Sequence, residues 1–284
     1  MTSIRTILQQ TARDLNISGS SSPRLDAELL LMHLLKIDRL LLFTHPERKL
    51  SGEETAAFAQ RIARRSLGEP VAYILGEKEF WSLRFEVDRG VLIPRPETEC
   101  LIEELLRSYR PPGEGLRILD IGTGSGAIGI VVARELPEAR VVATDISAEA
   151  LSVARRNAMA NGVADRVDFF QGNLLAAVSG KYDIICSNPP YIQDVQYGLL
   201  PPGIRDFEPR GALIAGPDGL DFYRRIIREG AHCLKPRGRI FLEIGEGQRS
   251  QVEALFREEC GYRDINCRKD YGGIDRVVSA RKED

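Results

Sequence analysis

From about residue 97 to the end of the chain, short apolar segments alternate with helical ones. Five of these segments have the length and composition of strands: RILDI (117–121), RVVATD (140–145), VDFFQ (167–171), YDIICS (182–187) and RIFLEIG (239–245). Helical stretches separate them, as in SAEALSVARRNAMANG, where Ser147 caps a helix that Gly162 ends. Short apolar strands that alternate with helices predict a parallel, doubly wound α/β sheet.

The last part of the chain has a different pattern. YRDINCRKD and GIDRVVSA have the composition of strands, and Tyr271-Gly272-Gly273 between them indicates a turn. We therefore predict an antiparallel pair of strands that closes the sheet.

The first part of the chain is helical in pattern throughout. In SSPRLDAELLLMHLLKI, a serine cap and Pro23 precede apolar residues at three- and four-residue steps. In SGEETAAFAQRIARR, Ser51 caps a further helix, and Glu54 stands where a capping box requires it. This pattern predicts a small helical bundle.

Between these two parts the period of the apolar residues changes to two. FWSLRFEVDRGVLIPRP alternates apolar and polar residues and is interrupted by Asp88-Arg89-Gly90, a turn signal. This pattern predicts a β-hairpin that links the helical bundle to the sheet. The predicted domains are a helical domain at 1–70, a β-hairpin linker at 71–96 and an α/β catalytic domain at 97–284.

Composition and charge exclude several classes of protein. The net charge of −2 and the pI of about 6.1 argue against general electrostatic binding of DNA or RNA. No apolar run approaches the ~18 residues of a membrane span, and MTSIRTILQQ lacks the apolar core of a signal peptide. The five cysteines include no CxxC pair, which favours reduced thiols in a cytoplasmic protein. The three histidines lack metal-ligand spacing, so we expect no metal site.

A glycine-rich loop, LDIGTGSGAIGI, follows the first predicted strand and opens a helix. Gly122, Gly124 and Gly126 have no Cβ, so the backbone can turn tightly there and approach a ligand closely. The N–H groups at the start of the helix then face that ligand. Asp145 ends the next strand, where a carboxylate can accept hydrogen bonds from both hydroxyls of a ribose. Loop and acid together predict a ligand that contains a nucleoside.

The identity of that ligand depends on one further acid. The spacing Gly124-x-Gly126-x-x-Gly129 fits the dinucleotide fingerprint, so a dehydrogenase is one alternative. Asp120, at the end of the first strand, would repel a pyrophosphate but suits a ligand with a cationic sulfonium and an amino group. S-adenosylmethionine is such a ligand. Glycines that serve only a tight turn between strand and helix are the remaining alternative.

The segment SNPPYI follows the fourth predicted strand, which would lie next to the first strand where the strand order reverses. Asn188 offers a carbonyl acceptor that can hold a planar amide or amine in place. Pro189 and Pro190 restrict the backbone, so the Pro189 carbonyl can be directed as a second acceptor. Tyr191 offers a ring against which a planar group can stack.

Two acceptors of this kind would hold an –NH₂ group and point its lone pair at a sulfonium methyl. An amide nitrogen is a poor nucleophile because its lone pair is delocalised into the carbonyl. Orienting that nitrogen, and stabilising the positive charge that develops on it, is catalysis by proximity and electrostatics. The alternative is that Asn-Pro-Pro only forms a turn after a strand.

The chain resembles the HemK/PrmC family, the N5-glutamine methyltransferases of peptide-chain release factors, over essentially its whole length. Asn-Pro-Pro-Tyr alone is shared with enzymes that methylate amino groups of DNA and RNA bases, whereas its combination with the other segments is far more specific. The segments that show the resemblance are RLDAELLL, VLIPRPETE (91–99), LDIGTGSGAIGI, SNPPYI, DFEPRGAL (206–213) and FLEIGEGQ (241–248).

The resemblance implies a seven-stranded, Rossmann-like sheet of S-adenosylmethionine-dependent methyltransferases, with an N-terminal helical domain that recognises the substrate. It implies that the methyl acceptor is the glutamine of a Gly-Gly-Gln loop in class 1 release factors. The expected partner is therefore a protein, with no direct contact to nucleic acid or membrane.

The resemblance also implies roles for individual residues. Asn188 to Tyr191 match the substrate clamp, with Asn188, Pro189 and Tyr191 as the catalytic residues. The contact beside the adenine falls on Asn173 or its neighbour Leu174, although many such enzymes have Asp where Asn173 stands. The implied cofactor-binding residues are Gly122, Thr123, Gly124, Ser125, Gly126, Asp145, Asn173 and Asn188.

Two further features remain open at this level. Glu97 and Glu99 would line the entrance of the site, or they only enrich the N-terminus of a helix in acids. The stretch at 193–217 is long for a plain connection, so it is expected to cover the substrate.

Three other functions are possible: two with the same methyl-transfer chemistry and one with different chemistry. A glutamine methyltransferase of a ribosomal protein would share Asn-Pro-Pro-Tyr, and PRPETE favours the release-factor branch by resemblance. A nucleic-acid amino methyltransferase of the adenine N6 type would flip a base into the same clamp, and the near-neutral charge argues against it. A dehydrogenase would bind NADH in place of S-adenosylmethionine. A binding module without catalysis does not explain why loop, acid and clamp occur together.

Overall fold

The computed structural model describes residues 2–108 and 115–284, and within it the chain divides into two compact units. The first unit runs to Glu77 and includes Pro201–Phe207, and the second comprises Lys78–Leu200 and Glu208–Asp284. The helices are α1 (Ile4–Ile17), α2 (Pro23–Leu35), α3 (Arg39–Thr44), α4 (Gly52–Ser66), α5 (Val71–Leu75), α6 (Glu99–Ser108), α7 (Ala127–Glu135), α8 (Ala148–Ala160), α9 (Pro202–Arg205), α10 (Asp221–Cys233) and α11 (Arg249–Glu258). The strands are β1 (Glu77–Phe80), β2 (Leu83–Glu86), β3 (Arg117–Ile121), β4 (Arg140–Asp145), β5 (Val167–Gln171), β6 (Tyr182–Ser187), β7 (Leu234–Glu243), β8 (Tyr262–Lys269) and β9 (Asp275–Lys282).

The first unit is helical, as its sequence pattern predicts. The capping box of α4 is present: the Glu54 N–H donates to Ser51 Oγ at 3.0 Å, and the Ser51 N–H donates to Glu54 Oε2 at 2.8 Å. The serine before α2 acts differently from our expectation. Ser22 makes no side-chain cap, because its hydroxyl donates to Asp26 inside the first turn.

Buried charge holds two helices of this unit together. Asp26, on α2, is 5% exposed and accepts hydrogen bonds from the hydroxyls of Ser20 and Ser22. It also pairs with Arg65 of α4 across 2.7 Å. Glu28, the second acid of RLDAELLL, is 1% exposed and pairs with Arg24 and Arg39. Both acids of this segment are therefore satisfied inside the first unit, and their role there is structural.

The second unit is built around a seven-stranded sheet in the order β5-β4-β3-β6-β7-β9-β8. The first five strands of this order are parallel, and β9 runs antiparallel to both β7 and β8. The predicted doubly wound sheet and its antiparallel closing pair are confirmed. The first and fourth predicted strands, β3 and β6, are neighbours as expected.

The central strands β3 and β6 are mostly apolar because both of their faces are covered. On β3, Ile118 packs into a core on one face, and Leu119 and Ile121 pack into a second core on the other. On β6, Ile184 packs into the first of these cores and Ile185 into the second. Burial on both faces explains why these segments stand out in the sequence as continuous apolar runs.

The β-hairpin differs from the prediction in its position. The expected turn at Asp88-Arg89-Gly90 lies beyond it, and the chain instead reverses at Trp81 and Ser82, between β1 and β2. Both residues have positive φ angles, 54° and 56°, which two-residue hairpin turns require to match the twist of the strands. No glycine or asparagine marks this turn, so the pattern did not show it.

The hairpin packs within the second unit. Phe80 and Phe85 belong to one of the cores that cover the sheet. The Trp81 N–H donates to Glu99 Oε1 at 2.8 Å, and the side-chain amide of Asn157 bonds both the N–H and the carbonyl of Glu86. These contacts fix the hairpin to α6 and α8. The start of the predicted linker, Val71–Leu75, is helix α5.

Candidate active site

The order of the strands reverses between β3 and β6, and two of the predicted motifs follow these two strands. The register pairs Ile121 with Ser187, so the glycine loop and the Asn-Pro-Pro segment begin at the same level of the sheet. In open α/β sheets the ligand crevice lies at the carboxyl ends of the strands at this point. The structure therefore brings the two motifs to one edge.

The glycines of the loop serve two different purposes. Gly122 and Gly124 have φ angles of 69° and 56°, and a Cβ on either would meet nothing within 4 Å. At Gly126 a Cβ would lie 2.6 Å from Ile130 Cδ1, and at Gly129 it would lie 3.0 Å from Asp120 Oδ2. The first two glycines thus border open space, whereas the last two allow α7 to pack closely against its neighbours.

Asp120 is completely buried at the end of β3. Its Oδ2 accepts a hydrogen bond from Thr123 Oγ1 at 2.6 Å and another from the Gly129 N–H at 3.0 Å. Its Oδ1 has no partner among the described residues. Burial raises the pKa of Asp120 to about 6, against the opposing effect of these two hydrogen bonds. A buried acceptor without a partner is suited to a cationic or amino group of a ligand.

Two of the implied cofactor residues direct their polar groups into the protein. The Thr123 hydroxyl donates a hydrogen bond to Asp120, and Ser125 is 3% exposed. The Ser125 carbonyl accepts a hydrogen bond from Asn157 Nδ2 at 2.8 Å. These residues shape the loop, while Gly122 and Gly124 border its open side.

Asp145 connects the end of β4 to the glycine loop. Its Oδ2 accepts the Gly124 N–H and its Oδ1 accepts the Ser147 N–H, each at 2.9 Å. The side chain is half-buried. A carboxylate has about four lone-pair sites, so acceptor capacity remains for hydroxyl groups of a ligand.

The implied adenine contact lies after β5. Asn173 is exposed, and its Oδ1 accepts a hydrogen bond from Arg225 at 2.9 Å. Leu174 is buried, with a φ of 56°, and its carbonyl accepts from the Thr144 hydroxyl. The acceptor of Asn173 is thus engaged by α10 in this structure.

Asn188 stands half-buried where β6 ends. Its Nδ2 donates to Thr98 Oγ1 at 3.1 Å. Because this bond uses the donor end of the amide, the acceptor Oδ1 is left for a ligand. Pro189, which follows, is buried, whereas Pro190 and Tyr191 are half-buried.

The position of Tyr191 depends on residues that sequence reasoning missed. Gln248 Nε2 donates to the carbonyls of Tyr191 and Gly219, at 3.0 and 3.2 Å, and Gln248 Oε1 accepts the Gly245 N–H at 2.9 Å. A Cβ at Gly245 would lie 2.9 Å from Tyr191 Cδ2, and one at Gly219 would lie 2.5 Å from the Tyr191 carbonyl oxygen. Two glycines and one buried amide therefore fix the tyrosine.

The two acids of PRPETE have different surroundings. Glu99 Oε1 accepts the Trp81 N–H, so Glu99 anchors the hairpin. Glu97 is exposed, and its charge raises the pKa of both Tyr191 and Glu243. Thr98, between these acids, is the partner of Asn188.

An ion pair joins two segments beside the site that are distant in the sequence. Arg95 of PRPETE donates to Oε1 of Glu208, in DFEPRGAL, at 2.7 Å. Glu208 is 5% exposed, and burial raises its pKa while Arg95 lowers it. The long stretch after Tyr191 also returns to the sheet edge, where Ile192 and Ile214 form a parallel bridge.

Comparison with known proteins assigns the family. The chain is 39% identical to the release factor glutamine methyltransferase of Rhodopirellula baltica, over 97% of this chain and 95% of that protein. It is 42% identical to the enzyme of the same name from Geobacter sulfurreducens, over 98% of this chain and 96% of that protein. The chain belongs to the release factor glutamine methyltransferase family. The predicted family resemblance is confirmed.

Two protein-family models match parts of this chain. The PrmC N-terminal domain matches residues 6–76, and the methyltransferase small domain matches residues 96–200. The crystal structure of a methyltransferase from Pyrococcus furiosus aligns with a TM-score of 0.54 and 22% identity, over 80% of this chain and 100% of that chain. This similarity shows the methyltransferase fold.

Members of the family use S-adenosylmethionine, and the crevice fits this cofactor. Gly122 and Gly124 leave room for a ligand, and the buried Oδ1 of Asp120, which has no partner among the described residues, is chemically suited to a cationic or amino group. Within residues 2–108 and 115–284, no group of three or more His, Cys, Asp or Glu side chains is arranged to hold a metal ion. No helix in the same part of the chain has the length and apolar character needed to span a membrane.

Replacing Gln248 with alanine should destabilise the protein by about 2–4 kcal/mol, because the buried carbonyls of Tyr191 and Gly219 would lose a donor and the Gly245 N–H an acceptor. The exposed Gln251 of the same helix provides the matched control, and Gln251→Ala should change stability by less than about 0.5 kcal/mol. Urea unfolding followed by circular dichroism measures both. Equal midpoints for the two variants would contradict a structural role of Gln248.

Proposed function

We propose that this enzyme transfers the methyl group of S-adenosylmethionine to the side-chain amide nitrogen of a glutamine in a class 1 peptide-chain release factor. The glutamine is that of the Gly-Gly-Gln motif implied by the family resemblance. Membership of the family supports the substrate. The observation that supports the chemistry most directly is the acceptor of Asn188, left free beside the glycine loop at the reversal of strand order.

The cofactor is held by the glycine loop and the acids around it. The backbone of the loop contacts the cofactor, and Asp145 accepts hydrogen bonds from the ribose hydroxyls. The loop residues are Gly122, Thr123, Gly124, Ser125 and Gly126. Asn173 or Leu174 contacts the adenine. When bound, S-adenosylmethionine supplies an electrophilic methyl group on a sulfonium. The free Oδ1 of Asp120 supports this assignment, because it offers a negative group to a ligand that carries positive charge.

The clamp holds the substrate glutamine by its –NH₂ group. Asn188 Oδ1 and the Pro189 carbonyl accept its two hydrogens, and Pro190 restricts the backbone between clamp and tyrosine. The ring of Tyr191 stacks against the planar amide. The network of Gln248 supports this assignment, since it fixes Tyr191 independently of any ligand.

The rate enhancement comes from orientation and charge. The two acceptors direct the nitrogen lone pair towards the methyl group. Because the bound nitrogen is already oriented, little further conformational entropy is lost in reaching the transition state. The same acceptors carry partial negative charge and stabilise the nitrogen as it becomes positive. The proton then leaves a strongly acidic, methylated amide, so the clamp itself needs no strong base.

The remaining assignments concern the partner and the compartment. The helical domain at 1–70 recognises the release factor, which is supported by the match of residues 6–76 to the PrmC N-terminal domain. The segment at 71–96, which contains the hairpin, connects it to the catalytic domain at 97–284. A substrate of the translation machinery places the enzyme in the cytoplasm.

Methyl transfer from labelled S-adenosylmethionine to a purified class 1 release factor tests the function. We expect label on the intact factor and none on a copy whose Gly-Gly-Gln glutamine is replaced. Asn188→Ala should lower turnover at least about 100-fold, because one acceptor of the clamp is lost. The exposed Asn266 provides the control, and Asn266→Ala should keep normal turnover.

Two results would contradict this assignment. Label on the copy without the glutamine would place the methyl group elsewhere on the factor. Normal turnover by the Asn188→Ala variant would exclude Asn188 from the chemistry. No label on either factor, with bound cofactor, would direct the search for a substrate to ribosomal proteins.

Replacing Asp145 with alanine should weaken cofactor binding by about 1.5–3 kcal/mol, roughly ten- to a hundred-fold or more, because the ribose and the Gly124 N–H both lose an acceptor. Isothermal titration calorimetry with S-adenosylhomocysteine measures the change. Asp168, exposed on the neighbouring strand β5, is the matched control, and Asp168→Ala should bind normally. An unchanged dissociation constant for Asp145→Ala would show that the ribose lies elsewhere.

A further inference from the structure

One buried carboxyl group beside the clamp has no part in the function described so far. Glu243 ends β7, the strand next to β6, and is 1% exposed. The register pairs Ser187 with Leu242, so Asn188 and Glu243 follow at the ends of adjacent strands. Glu243 Oε2 has no hydrogen-bond partner among the described residues. A carboxyl group left in this state is costly for stability, and functional sites are where such groups are retained.

Thr98 stands between Glu243 and Asn188. Its Oγ1 accepts the hydrogen bond from Asn188 Nδ2 at 3.1 Å, and Thr98 is 4% exposed. Because the oxygen of the hydroxyl accepts from Asn188, its proton is free to be donated elsewhere. The hydroxyl is close enough to Glu243 to lower the pKa of this carboxyl as a hydrogen-bond donor. The three side chains are thus placed to form a directed chain of hydrogen bonds from the amide to the acid.

Charged groups from several elements face Glu243. Burial is the main effect and raises its pKa to about 7. Arg276 on β9 and Arg95 before α6 lower the pKa, whereas Glu97 raises it. The carboxyl also raises the pKa of Tyr191 and Tyr223, which lie near it. Glu243 therefore has a pKa close to neutral pH.

We propose that Glu243 is a positioning residue for glutamine methylation, acting on Asn188 through Thr98. As a carboxylate it accepts the Thr98 proton, so the hydroxyl oxygen must accept from Asn188 Nδ2. The amide of Asn188 is then held with Oδ1 turned to the substrate nitrogen. The negative charge at the far end of the chain polarises this acceptor and stabilises the positive nitrogen of the transition state. This inference rests on the proposed function and deepens it.

Protonation of Glu243 would reverse this arrangement. A neutral carboxyl can donate its own proton to Thr98 Oγ1 and compete with Asn188 for the same lone pairs. The amide of Asn188 then loses its fixed orientation. Because burial raises the pKa of Glu243 to about 7, the active carboxylate is half formed at that pH, predominates above it and is lost as the pH falls through it.

The test is the pH profile of kcat for methylation of the release factor by the wild type and the Glu243→Gln variant. The wild type should show an acid limb with an apparent pKa near 7 and a plateau above it. Glu243→Gln should lower the plateau value of kcat about ten- to a hundred-fold and lose this acid limb. The KM for S-adenosylmethionine should stay unchanged. Glu246, exposed three residues further on, is the control, and Glu246→Gln should keep the wild-type profile.

Thr98 variants decide the question even if Glu243→Gln does not fold. Thr98→Ser retains the hydroxyl and should keep both kcat and the acid limb, whereas Thr98→Val should lower kcat as Glu243→Gln does. The double variant Thr98→Val/Glu243→Gln should be no slower than the slower single variant, because both remove the same chain of bonds.

The outcomes separate this inference from the proposed function. Absence of label with the wild type at every pH would contradict the function itself. If the wild type is active and either Glu243→Gln or Thr98→Val keeps the wild-type kcat and the acid limb, only the role of Glu243 would be overturned. Multiplicative losses in the double variant would also overturn it, since independent structural effects would then explain both residues.

Discussion

The parallel pairing of β3 with β6 is the constraint on which the site depends. Backbone hydrogen bonds set Ile121 opposite Ser187, and the residues that follow, Gly122 and Asn188, start at the same level of the sheet. The strand order reverses at this pair, so the connections leave it in opposite directions and a crevice opens between them. A shift of one residue in the register would move the clamp by about 3.3 Å and turn its side chains to the other face. The apolar cores on both faces of the sheet hold this register.

Two buried carboxyl groups are the second feature of the sheet edge at which the site lies. Asp120, near the end of β3, and Glu243, at the end of β7, lie on the two strands that flank β6. Both are almost completely buried, and each has an oxygen without a partner among the described residues. Burial raises the pKa of the first to about 6 and of the second to about 7. A protein selected for stability alone would pair or replace such groups. Their retention on either side of Asn188 fits a site that must receive a cationic ligand and stabilise a nitrogen as it becomes positive.

Much of the fold follows from local patterns, and what does not follow depends on long-range contacts. The bounds of β3 to β6 agree with the prediction, because short, largely apolar segments between helical ones indicate strands. The hairpin turn was misplaced, since Trp81 and Ser82 adopt positive φ angles without the usual turn residues. The sequence predicted that the glycine loop and Asn188 follow two neighbouring strands, and in the structure they do. Thr98 and Gln248 were missed because their partners lie far away in the sequence, and no local pattern identifies a residue that orients another.

In the proposed mechanism, the cofactor and the substrate amide meet at the carboxyl ends of β3 and β6. The most direct measurement is a crystal structure of the enzyme with S-adenosylhomocysteine and a release factor. The account predicts the ribose on Asp145, and the glutamine nitrogen within about 2.7–3.2 Å of both Asn188 Oδ1 and the Pro189 carbonyl oxygen. A glutamine bound away from this edge, or an Asn188 amide turned with Nδ2 towards the substrate nitrogen, would contradict it.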